Sequence, residues 1–150
     1  SMVPLGSDSE KLKDYLEIIR LRQDGRFTYT VQVDPAVQDV LIPKLWVQPV
    51  VENSVKYGSL RKQTLHVDLT ARMEDGFLLL TVEDNGTGFE PQRLKEVQDS
   101  LTDPKKGTRQ SGLQSIARRL VLLYGKESSV TIESEYMVHT RVTLRMRRGG

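Results

Sequence analysis

The chain has 150 residues, 37% of them hydrophobic and 28% charged, with a formal net charge of only +2. That profile describes one globular domain with a real core, and it makes no case for nucleic-acid binding by bulk charge. The absence of cysteine excludes disulfides and thiolate metal sites, two histidines far apart (His66 and His139) argue against a histidine zinc site, and no apolar run approaches the roughly 20 residues needed to cross a bilayer.

Ser1-Met2 reads as a cloning remnant and residues 1–9 as tag or linker, so the domain is expected over 10–147 with a frayed tail at 148–150. The opening directly into a helix suggests a piece of a longer protein. Glu10 to Gln23 carries Leu12, Tyr15, Leu16 and Ile19 on one helical stripe, and Ser7 and Glu10 have capping-box spacing. Asp24-Gly25 ends that helix. Arg26 to Val33 alternates as a strand with Phe27, Tyr29, Val31 and Val33 on one face.

Pro43 to Tyr57 reads as a second helix stopped by Gly58, with its regular part opening at Pro49. Thr64 to Met73 and Phe77 to Asp84 form a hairpin across Glu74-Asp75-Gly76, with Leu65, Val67, Leu69, Ala71 and Met73 inward. Pro91 to Ser100 predicts a short helix, and 101–110 a polar loop of the kind that covers ligands. Ser111 to Tyr124 is a third main helix, and Ser129–Glu133 with Val138–Met146 a closing antiparallel pair. Hairpins segregated from helices predict an α+β two-layer sandwich: a mixed, mostly antiparallel sheet packed on about three helices.

One acid breaks the pattern. Asp84 is in phase with Leu78, Leu80 and Val82, so a carboxylate is aimed at the core, where it needs hydrogen-bond donors. Gly86 and Gly88 follow and let backbone or ligand approach. An inward acid beside a glycine-walled gap suits a purine, with the acid accepting from an exocyclic amine. An ordinary Asn-Gly turn with a satisfied Asp fits the same pentapeptide.

Three blocks extend this reading: Gln48-Pro49-Val50-Val51-Glu52-Asn53-Ser54-Val55-Lys56-Tyr57-Gly58, Asp84-Asn85-Gly86-Thr87-Gly88-Phe89, and Ser111-Gly112-Leu113-Gln114-Ser115-Ile116-Ala117-Arg118-Arg119-Leu120. Together they resemble the N, G1 and G2 boxes of the GHKL ATP-binding fold shared by gyrase-type ATPases and sensor histidine kinases. Gln-Pro-Val-Val-Glu-Asn, with Tyr15 to Ile18 upstream, resembles the LytS/YpdA-type kinases, and the likeness runs from about Glu10 to Arg147.

The resemblance implies ATP and Mg²⁺ as ligands. It makes Asn53 the Mg²⁺ ligand, consistent with a hard oxygen donor supplemented by phosphates and water, and Lys56 a phosphate contact. Asp84 takes the adenine amine, Gly86 and Gly88 admit the base, and Asn85 serves turn chemistry. Gly112 opens a helix whose N–H groups face phosphate, with Ser111 and Leu113 beside it. Lys105, Lys106 and Arg109, around Gly107, either close over the triphosphate or form a solvated loop. Gln110 stands where the family usually has glycine. Either Gly107 supplies the flexibility or phosphate binding is weakened, which leaves a nucleotide-sensing module without kinase activity as the alternative.

Phosphoryl transfer needs positioning more than covalent help from the protein. Hydrolysing relatives carry a Glu one turn before the Asn, and here that position is Pro49. Glu52 projects about 100° away around the helix, suited to polarising an acceptor histidine and not to activating water. His66 and His139 read as solvated strand residues, so the resemblance puts the acceptor on an upstream dimerisation helix. It further implies a response regulator downstream, no membrane contact by this segment, and a cytoplasmic kinase end of a membrane-anchored homodimer.

Overall fold

The computed structural model describes residues 1–58, 63–102 and 112–148. The architecture is the expected α+β sandwich. Five strands, β2 (Phe27–Val33), β4 (Leu65–Glu74), β5 (Phe77–Asp84), β6 (Ser129–Glu135) and β7 (His139–Arg147), form one sheet in the order β2-β4-β5-β7-β6. Only β2 and β4 run parallel; the other neighbours are antiparallel. Four helices accompany it: α1 (Leu5–Arg22), α2 (Gln48–Gly58), α3 (Pro91–Thr102) and α4 (Gly112–Tyr124). A second, two-stranded sheet pairs β1 (Met2–Pro4) with β3 (Leu41–Pro43).

The helix-facing side of the sheet is apolar for the reason its periodicity predicts. Val67, Leu69 and Ala71 of β4, Leu78, Leu80 and Val82 of β5, and Val142, Leu144 and Met146 of β7 are all buried. They meet Leu12 and Leu16 of α1, Val50 and Val51 of α2, and Ile116 and Leu120 of α4 in one core. The opposite side carries charge: Arg141 pairs with Glu83 at 3.2 Å and Glu133 at 3.6 Å. Phe77 lies in phase with that polar side yet is buried, because Arg145 and Arg147 cover its ring at 3.6 and 5.1 Å.

Four local expectations change. The first helix opens at Leu5, not Glu10, since Leu5 is buried and its N–H donates to Val40 O at 2.8 Å. Residues 2–9 are therefore folded with the domain. No capping box forms at Ser7, whose hydroxyl donates back to Pro4 O. Pro43 closes β3, and Leu45, at φ 55°, separates it from α2, which starts at Gln48. Met73, near the tip of the β4–β5 hairpin, is 39% exposed. In the tail, the Arg148 N–H still donates to Gly76 O.

Candidate functional site

Asp84 ends β5, between Val67 on β4 and Thr140 on β7, and is 5% exposed. Its Oδ1 accepts the Gly86 N–H at 2.9 Å, and the Ser54 hydroxyl is hydrogen-bonded to it. Burial raises its pKa above the usual carboxylate value, partly offset by those two donors. Asn85, the next residue, does turn work. Its side-chain oxygen accepts from His66 N–H at 2.7 Å and its amide donates to Thr64 O at 3.2 Å.

Asp84 opens onto a cavity of about 370 Å³, walled on one side by Val50, Asn53, Ser54 and Lys56 of α2. Thr87, Gly88 and Phe89 follow from the loop after β5, Arg93 and Val97 from α3, and Gly112 and Leu113 from α4. Ile132, Thr140 and Val142 close it from the sheet. An apolar slot with one buried acid and a few convergent polar groups is the profile of a small-molecule site. A Cβ built on Gly112 would lie 3.8 Å from Asn53 Nδ2, so the N-terminus of α4 stands beside the α2 asparagine. The orphan N–H groups of that first turn and the helix dipole favour an anion there.

The family model for histidine kinase-, DNA gyrase B-, and HSP90-like ATPases matches residues 38–150. The chain belongs to this family. It is 32% identical over 133 residues to Sensor protein LytS of Staphylococcus haemolyticus, covering 88% of this chain and 23% of that protein. Sensor histidine kinase YesM of Bacillus subtilis is 30% identical over 144 residues, with 95% and 23% covered. The chain thus spans less than a quarter of either relative. Its fold matches the catalytic domain of histidine kinase ThkA with a TM-score of 0.71 at 12% identity, over 99% of this chain and 95% of that one. The likeness to LytS-type sensor kinases drawn from the three sequence blocks is borne out.

In this ATPase-family domain Asn53, Lys56, Asp84, Gly88, Gly112 and Leu113 all line the one cavity. Glu52 does not. It is exposed, takes a hydrogen bond from Gln48 Nε2 at 3.1 Å, and its charge acts on Tyr15 of α1. One residue along a helix turns the side chain about 100°, which is enough to remove it from the wall.

The two glycines of the β5 loop have work inside the protein. A Cβ at Gly86 would fall 2.4 Å from Gly58 Cα, and one at Gly88, at φ 68°, 2.3 Å from Glu135 O. They let this loop pack between α2 and the β6–β7 turn. Lys105, Lys106, Gly107, Arg109, Gln110 and Ser111 lie outside the described residues.

Several wall residues escaped the sequence reading. Thr140 carried the signal that exposed Asp84: a polar residue in phase with the inward Val142, Leu144 and Met146, and it is 8% exposed. Ser54 and Phe89 stand inside the quoted blocks without a role, and Arg93, Val97 and Ile132 carried no signal, because only the tertiary packing of α3 and β6 brings them to the cavity. His66 is held on the polar face by Asp68 at 2.8 Å and Thr28 at 2.5 Å. His139 is half-buried.

Among the described residues no group of three or more His, Cys, Asp or Glu side chains could hold a metal. Asn53, a half-buried amide on the cavity wall, is a hard-oxygen side chain of the kind that fits a Mg²⁺ carried mainly by phosphate oxygens and water. No helix among the described residues is long and apolar enough to cross a membrane.

Proposed function

We propose that this domain binds Mg-ATP in the cavity and transfers the γ-phosphoryl group to a histidine on an upstream dimerisation helix of the same protein. The observation that carries the reading is the pairing, in one cavity, of a buried Asp84 with Asn53 beside the N-terminus of α4. Asp84 accepts the adenine amino group. The base lies between Val50, Leu113, Val97 and Ile132. The phosphates extend toward Gly112, where backbone N–H groups receive them, and Lys56 adds a point charge.

When bound, Mg²⁺ neutralises charge on the phosphate oxygens, and Asn53 is the side chain that would hold it. The remaining work is positioning. Pro49, one turn before Asn53 on α2, has no acid with which to activate water, so the wall favours transfer to an imidazole over hydrolysis. The intact protein, on this reading, is a membrane-anchored homodimer with this domain in the cytoplasm and a response regulator as its downstream partner.

Two measurements test it. Calorimetry should detect Mg-ATP binding by this chain. Mixing the domain with an acceptor helix bearing the histidine should give an acid-labile phosphohistidine. Binding without transfer would leave a nucleotide-sensing module, and no binding would remove the nucleotide reading itself.

A further inference from the structure

Arg93 is a cavity-wall cation to which the reading above assigns no work. It occupies the first turn of α3 and shares a helix face with Val97, four residues on, both lining the cavity. A cation there opposes the helix dipole, which favours acids at the N-terminus, and the first turn of α3 holds no acid. Its ion pair with Glu96, at 3.1 Å, joins side chains 65% and 57% exposed, and such pairs are held weakly. Local helix energetics thus give no reason for an arginine at this position, whereas the cavity beside it does.

The chain path decides which part of a nucleotide it would meet. α3 begins three residues after Gly88, the last glycine of the loop that leaves Asp84, and its Gln98 donates to Ile132 O of β6 at 2.9 Å, whereas Gly112 stands beside Asn53. We infer that Arg93 contacts the base: its planar guanidinium stacks on the face of the purine that Asp84 holds and closes that end of the slot. This rests on the purine reading of the cavity. The exposed ion pair with Glu96 is weak enough for the ring to compete with it.

The test is an NMR titration of the chain and of its Arg93→Ala, Arg93→Lys and Glu96→Gln variants with adenosine and with Mg-ATP. Arg93→Ala should weaken both ligands by the same factor, about three- to tenfold. Arg93→Lys should restore only part, because an ammonium lacks the flat face. Glu96→Gln should leave both affinities unchanged or tighter, and the salt dependence of Mg-ATP binding should match in Arg93→Ala and the parent. Adenosine affinity unchanged while Mg-ATP weakens would overturn the stacking contact in favour of a phosphate contact. Both unchanged would remove Arg93 from the site. A parent chain that binds neither ligand would overturn the purine reading along with it.

Discussion

Glu83 and Asp84 are neighbours on one strand, yet they belong to two different environments. Glu83 faces the polar side of the sheet, where Arg141 meets it in solvent. Asp84 faces the helices, nearly water-free, satisfied by Gly86 N–H and Ser54. A one-residue step on a strand reverses the face. The outer pair is screened and contributes little to stability. The inner carboxylate is destabilised by burial and kept only by a few donors, which suits it to accept one more from a ligand. The outer face of the sheet serves solubility, and the inner face joins core and site.

The largest expected break in this contrast comes from the core. Leu144→Ala on β7 should cost about 2–5 kcal/mol in denaturant unfolding, while Thr143→Ala, one residue away on the polar side, should stay within about 0.5 kcal/mol. Asp84→Asn should weaken Mg-ATP binding by about 1.5–3 kcal/mol, the range for a charged hydrogen bond, and Glu83→Gln should leave the calorimetric affinity unchanged. Equal losses in the two variants would show that the inner carboxylate has no special place.

Gly86→Ala pushes a methyl group against the Gly58 backbone, and overpacking of this kind costs about 1–3 kcal/mol. A lowered melting temperature should accompany it, together with weakened nucleotide binding, because the loop that places Asp84 must shift.

The pH response follows from the raised pKa of Asp84. Between its unfolded value and its raised native value the folded state holds more of the proton. Stability therefore falls as pH rises through that window, and the penalty is full above it. Asp84→Asn lacks this ionisation. Its stability relative to the parent should improve from about pH 4 upward, measured by urea unfolding at several pH values; a constant difference across the range would contradict it. A small stability effect is expected for Glu83→Gln or Arg141→Gln, each within about 1 kcal/mol and vanishing at high salt.

Much of the molecule was legible in its residue order. Period-2 alternation in 64–73, 77–84 and 138–146 located three strands and aimed Asp84 inward, because side-chain direction on a strand is purely local. The apolar stripe of α4 worked for the same reason. The start of α1 was misread because the Leu5 and Gly6 N–H groups donate to Val40 O and Gln38 O, partners more than thirty residues away. The three-residue strands β1 and β3 are too short to show a period at all.

Order along the chain, then, determined the main helices, the longer strands with most of their inward faces, and that an acid would be buried at the end of β5, since these depend on bond geometry and burial alone. Only the tertiary structure decided that Gly112 lands beside Asn53, that Glu52 turns away from the cavity, that Gly86 and Gly88 serve backbone packing, and that Arg93 and Thr140 complete the wall. Those outcomes depend on how elements distant in sequence are brought to one end of a sheet, and no local periodicity encodes that distance.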